Sequence, residues 1–98
     1  MKIEKAAEQL LELGHVTRLS IYQYLVKAGH SGLSVSEIQN QLDVPASTLS
    51  HHLSRLIKVN LIQQTREGRV LRCIAQFKTL DDLMGFLKDE CCSTECCT

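Results

Sequence analysis

The sequence predicts a single, mostly helical α+β domain, and three observations carry that prediction. Apolar residues recur at helical spacing through the first part of the chain, two β-compatible runs flank a glycine after them, and a final helical stripe closes the pattern. The 98 residues, 44% hydrophobic and 22% charged, make one globular domain with a modest core. No internal repeat or low-complexity linker divides the chain.

Ile3, Ala6, Ala7, Leu10 and Leu11 follow the spacing of one helical face, and Gly14 supplies the stop, which predicts the first helix. Leu19, Tyr22, Leu25 and Val26 give a second stripe that ends at Ala28 and Gly29. Ser34 and Glu37 then form a capping box opening a third helix, barely two turns long, that carries Val35, Ile38 and Leu42. Asp43, Val44 and Pro45 break the pattern, and Pro45 suits the first turn of a fourth helix with Leu49, Leu53, Leu56 and Ile57 inward. A short helix, a tight turn and a longer helix make a helix-turn-helix.

After it, "LIQQT" and "VLRCIA" flank "REGR", a hairpin with Arg66 and Arg69 at its tip. A basic hairpin beside a helix-turn-helix is a wing. "TLDDLMGFLKDE", with Leu80, Leu83, Met84 and Leu87 as its stripe, is the last helix. The predicted architecture is therefore a winged helix-turn-helix of about five helices and one β-hairpin, with residues 1–90 as the domain and 91–98 as a cysteine-rich tail.

Eleven Lys and Arg cancel eleven Asp and Glu, a balance that taken alone argues against a polyanion as partner. The distribution argues for one. Residues 45–78 carry six basic side chains and a single acid, Glu67, whereas residues 79–98 set Lys88 against five acids. A basic middle segment can form the footprint of a phosphate-contacting surface, while an acidic end points away from it. A solvated basic face without a partner is the competing reading.

On the fourth helix, Ser47, Thr48, Ser50, His51, Ser54, Arg55 and Lys58 fall away from the apolar stripe. Short hydroxyls and an imidazole near the amino-terminal half suit base edges and phosphates in a major groove, with cations further along for the backbone. An ordinary amphipathic surface helix would show a similar face. His52, next to the stripe, reads as a packed, hydrogen-bonded histidine. Arg66 and Arg69 would meet a minor groove or flanking phosphate, and Cys73, inside the second strand, reads as a small buried hydrophobe.

The amino terminus, "MKIEKAAEQLLELG", interleaves charges with apolar residues, so it reads as neither signal peptide nor membrane span, and the expected location is the cytoplasm. There thiols stay reduced, and five cysteines read as free thiols, ligands or redox sensors before disulfides. Four of them, Cys91, Cys92, Cys96 and Cys97, crowd into "DECCSTECCT". A disulfide inside so short a segment would close almost no loop, so the cluster is a soft ligand set or a switch. No cysteine is paired with a general base, and no phosphate-binding glycine loop or catalytic carboxylate pair is visible, so no enzyme and no organic cofactor is expected.

Taken together, "LGHVTRLSIYQYL", "LSVSEIQNQLDVPASTLSHHLSRLIKVNLI" and "REGRVLRCIA" resemble the ArsR/SmtB family of dimeric winged-helix repressors, which leave operator DNA when a metal or metalloid binds. The resemblance covers nearly the whole chain. It departs at His15 and Val16, where many members carry an Asp-Pro pair opening the second helix. The resemblance implies that Ser47, Thr48, Ser50 and His51 face double-stranded DNA and that the first and last helices form a homodimer interface.

Sensor sites in that family differ by location. The third helix here, "SVSEIQNQL", has no cysteine, and the last helix has no histidine, so the Cys-x-Cys site beside the reading helix and the Asp/His/Glu zinc site across paired last helices both lack their ligands. The tail resembles the arrangement of arsenite-responsive members, two adjacent cysteines ending the last helix and a third soon after, which implies Cys91, Cys92 and Cys96, with Cys97 as rival third ligand. As(III) is soft and takes three thiolates in a pyramid, and Sb(III) is the expected congener. Three other readings stay open. Four thiolates can hold Zn or Cd, although vicinal pairs suit a tetrahedral site poorly; adjacent thiols can sense oxidants or persulfide; and the fold can serve as an interaction module with a zinc-clipped tail and no DNA partner.

Overall fold

In the computed structural model the described residues are 1–89, and the five expected helices and the hairpin are all present, with one additional short strand. Helix α1 spans Ile3–Leu13 and α2 spans Val16–Ala28, followed by a 3-10 turn at Gly29–Ser31 and strand β1 at Leu33–Ser34. Helix α3 is Val35–Leu42, α4 is Ala46–Lys58, β2 is Ile62–Glu67, β3 is Val70–Ala75 and α5 is Phe77–Leu87. No described helix is long and apolar enough to cross a membrane.

The sheet is antiparallel in the order β1-β3-β2, with Gln64 opposite Cys73 and Glu67 opposite Val70 across a two-residue Gly68–Arg69 turn. Strand β1, two residues pairing Leu33 with Cys73 and Ser34 with Arg72, ties the wing to the start of α3. It is too short for any alternation to announce it. The capping box is complete: Ser34 Oγ accepts from the Glu37 amide at 3.1 Å, and the Ser34 amide donates to Glu37 Oε1 at 2.9 Å. Helix α3 ends on Asp43 in a left-handed conformation (φ 53°). Pro45 stands one position earlier than expected, as the N-cap of α4, because its extended backbone (ψ 147°) lies outside the helix.

The core gathers Ile21, Tyr22 and Leu25 from α2, Ile38 from α3, Leu49, Leu53 and Leu56 from α4, and Val59, Leu61, Ile62, Cys73 and Ala75 from the segment around the wing. Cys73 is fully buried, as its place in the strand predicts, and burial pushes its thiol above the ordinary range. Ile57 is only half-buried at the edge of this cluster.

The two terminal helices use their faces differently from the core helices. Helix α1 buries Ala6, Gln9 and Glu12, while Ile3 and Leu11 of its apolar stripe remain 67% and 69% exposed. Gln9 earns its place by donating Nε2 to the Val59 carbonyl at 3.1 Å. On α5, Leu83 is buried, but Met84 and Leu87 are exposed, and Leu19 of α2 joins them outside. Apolar periodicity thus marks two faces that one chain does not cover.

Candidate nucleic-acid interface and the junction behind it

Helix α4 presents the side chains that the sequence singles out. Leu49, Leu53 and Leu56 lock one face into the core, which leaves Ser47, Thr48, Ser50, His51, Ser54 and Arg55 exposed on the other. Its amino terminus has no side-chain cap, so its first amides and the positive end of its dipole meet solvent, a favourable setting for phosphate. Ser50 and Ser54 share a groove with Gln64 and Leu71 of the wing, so the helix and the hairpin form one continuous surface. Arg69 lies in an adjoining groove with Ser34 and Ser36 at the start of α3.

The single acid of the basic segment is neutralised within the wing. Arg72 Nε donates to Glu67 Oε1 at 2.8 Å, and Arg72 Nη1 reaches the Ser31 carbonyl at 3.2 Å. Among the described residues Arg66 and Arg69 have no carboxylate partner, and both are exposed. The wing therefore offers two uncommitted cations beside the polar face of α4.

Behind this surface lies a charged junction that the sequence reading only partly foresees. His52 is 7% exposed, and its Nδ1 receives Arg18 Nη1 at 3.2 Å. A guanidinium can only donate, so Nδ1 is the acceptor and the neutral ring carries its proton on Nε2. Burial, followed by the positive fields of His15, Arg18, His51 and Arg55, holds the His52 pKa below 6.5. Its ring lies 4.8 Å from that of His15. His15 takes over the cap that an aspartate would make, with Nδ1 accepting from the Thr17 amide at 3.1 Å.

Glu12 was not visible as a functional residue in the sequence. Its buried carboxylate takes Arg55 Nε at 2.8 Å and Nη2 at 3.4 Å, and lies 3.5 Å from Arg18 Nε. Arg18 Nε also donates to the Glu12 carbonyl at 2.6 Å. The hydrogen bond from Arg55 holds the Glu12 carboxyl below the usual carboxylate range despite its burial. Arg55, expected as a backbone-contacting cation, is thus tethered to α1 while its side chain remains 43% exposed. Its partner lies 43 residues away, and no local spacing signals such a pair.

Residues 13–65, which contain α2, α3 and α4 and run into the first strand of the wing, match the helix-turn-helix domain family. The chain belongs to that family. A stretch of 67 residues is 39% identical to an uncharacterised HTH-type transcriptional regulator of Methanocaldococcus jannaschii, covering 68% of this chain and 73% of that protein. Another of 68 residues is 35% identical to the transcriptional repressor PagR of Bacillus anthracis, covering 69% and 66%. The structure superposes on an ArsR-like transcriptional regulator from Rhodococcus sp. RHA1 with a TM-score of 0.75 and 25% identity, over 87% of this chain and 77% of that one.

This helix-turn-helix protein is accordingly a transcriptional regulator of ArsR-like fold, a non-enzymatic class whose members bind DNA. Cys91, Cys92, Cys96 and Cys97 lie outside the described residues. Among the described residues, no three His, Cys, Asp or Glu side chains are grouped to hold a metal ion.

Proposed function

We propose that the regulator is a homodimeric repressor that binds operator DNA and is released when As(III), or Sb(III), is taken up by the thiolates of Cys91, Cys92 and Cys96, with Cys97 as the alternative third ligand. The observation that carries the DNA half is the continuous surface of exposed Ser47, Thr48, Ser50, His51 and Ser54 with the uncommitted Arg66 and Arg69. Dimerisation is supported by the exposed apolar faces of α1 and α5, Ile3, Leu10, Leu11, Met84 and Leu87. The ligand half is supported by the "CCSTECC" sequence that follows α5 closely, and by the affinity of soft metalloids for thiolate sulfur.

The release mechanism rests on how close the thiolates stand to α5 in the sequence. Helix α5 ends at Leu87, three residues before the expected Glu90, and Cys91 follows four positions later, so drawing Cys91, Cys92 and a third thiolate onto one As(III) constrains the segment that leaves α5 and shifts the packing of that helix. A shift there changes how the two reading helices are spaced for successive major grooves. A 10- to 100-fold loss of operator affinity requires a coupling of only ~1.4 to ~2.8 kcal/mol.

The test is fluorescence anisotropy of the reduced protein on a labelled fragment of its own promoter, titrated with arsenite and, separately, with zinc and peroxide. Stoichiometric release by arsenite, abolished in Cys92→Ser with DNA binding intact, is the expected result. Release that survives Cys92→Ser refutes the ligand set; release by peroxide alone transfers the tail to redox sensing; absence of salt-sensitive binding to any duplex refutes the DNA reading.

A further inference from the structure

A carboxylate of α1 packed against a cation of the DNA-reading helix is electrostatically out of place, because a negative charge near a polyanion weakens binding unless it does something else. Glu12 does something else. It engages one edge of the Arg55 guanidinium, Nε at 2.8 Å and Nη2 at 3.4 Å, while Nη1 makes no hydrogen bond to the described residues and the side chain as a whole stays 43% exposed. Arg55 lies one helical turn beyond His51 and next to Ser54, on the face already assigned to DNA. Glu12 is itself held rigidly: its backbone carbonyl accepts Arg18 Nε at 2.6 Å, and Arg18 is anchored in turn on His52 Nδ1 at 3.2 Å.

We propose that Glu12 is a positioning residue for DNA binding, which fixes the Arg55 guanidinium so that its free edge meets a backbone phosphate. This rests on the DNA-binding reading above. An arginine fork presented on a carboxylate is pre-organised: the rotatable bonds that a phosphate contact would have to freeze are already frozen, and the donors point in a set direction. The same pair fastens the reading helix α4 to α1, so the position of the phosphate clamp follows the position of α1.

The experiment separates this role from simple charge, because the two give opposite signs. Binding of the reduced full-length protein to its labelled promoter fragment is measured across a salt series for the wild type, Glu12→Gln, Arg55→Gln, the double variant and Arg55→Lys. Glu12→Gln removes a negative charge and, through bulk electrostatics alone, tightens binding; the positioning role weakens it about tenfold. Arg55→Gln weakens binding and lowers the slope of log affinity against log salt by about one, and the double variant is no weaker than Arg55→Gln. Arg55→Lys keeps the charge and the slope but loses the fork, and it weakens binding as Glu12→Gln does. Where Glu12→Gln fails to fold, Glu12→Asp, which keeps the charge but draws the carboxylate back from Arg55, is measured in its place and is expected to weaken binding in the same direction. Unchanged or tighter binding in Glu12→Gln or Arg55→Lys, or an unchanged slope in Arg55→Gln, overturns the positioning role and leaves the DNA-binding reading standing. A wild type that binds no duplex overturns both.

Discussion

Gly32 and Gly29 make a matched pair that isolates what holds the wing to the domain. Both adopt nearly the same backbone conformation, φ 65° and ψ −166° at Gly32 and φ 68° and ψ −150° at Gly29, a region reserved almost entirely for glycine. Alanine at either position therefore carries a backbone strain of ~1–3 kcal/mol. Their surroundings differ. A Cβ at Gly29 meets no atom within 4 Å, whereas one at Gly32 is driven onto the Cys73 carbonyl oxygen and to 2.7 Å from Ile74 Cγ1. The first obstacle is backbone and cannot swing aside, and it belongs to the residue that pairs with Leu33 in the β1–β3 ladder. Such overpacking adds ~1–3 kcal/mol, so Gly32→Ala is expected to lose about 2 kcal/mol more than Gly29→Ala. Against a total stability of about 5–15 kcal/mol the difference is large. In urea, followed by far-UV circular dichroism at matched protein concentration, it separates the two midpoints by about 1–2 M at an m-value of ~1–2 kcal/mol/M. Equal midpoints would refute the reasoning, because they would mean that β1 and β3 part at no cost.

Three further outcomes follow from the same contacts. His52 has its pKa depressed below 6.5, so the native state binds fewer protons than the unfolded chain; the stability that the neutral ring contributes is complete above about pH 6.5 and is lost as pH falls through the folded value. His52→Asn keeps an acceptor for Arg18 and removes the titration, so urea midpoints between pH 7.5 and 5 should drop more in the wild type than in the variant, and parallel curves would count against the assigned tautomer. His15→Ala removes the α2 cap at a cost of ~1 kcal/mol, a fall in Tm of about 4–8 °C, whereas His15→Asp should retain the cap, and a melt that ranks them otherwise contradicts the capping role. Leu56→Ala, at a fully buried site where α4 meets the core, should cost ~2–5 kcal/mol in urea denaturation, and a loss below 1 kcal/mol would show that the core relaxes around it.

Short-range rules made most of the fold readable. The capping box at Ser34 and Glu37, the helix break at Pro45 and the hairpin around Gly68 each depend on residues within a few positions of one another, and the structure shows all three. His52 was readable as a packed histidine because it borders a clear apolar stripe, although its partner Arg18, 34 residues earlier, was not. Strand β1 has no signal in the sequence because two residues carry no period, and its pairing with β3 depends on the fold that brings Leu33 beside Cys73.

Element order, the basic middle segment, the polar face of α4 and the cysteine cluster beyond α5 can be read along the chain, because each is a local pattern of residue types. Only the tertiary structure decided which apolar faces become core and which stay outside: α1 buries Ala6, Gln9 and Glu12 and turns Ile3 and Leu11 to solvent, a choice that hydrophobic periodicity cannot make because it marks a face without naming its partner. The tertiary structure also joined Glu12 to Arg55. An ion pair 43 residues apart depends on how α1 and α4 pack, and no charge pattern along the chain encodes that distance.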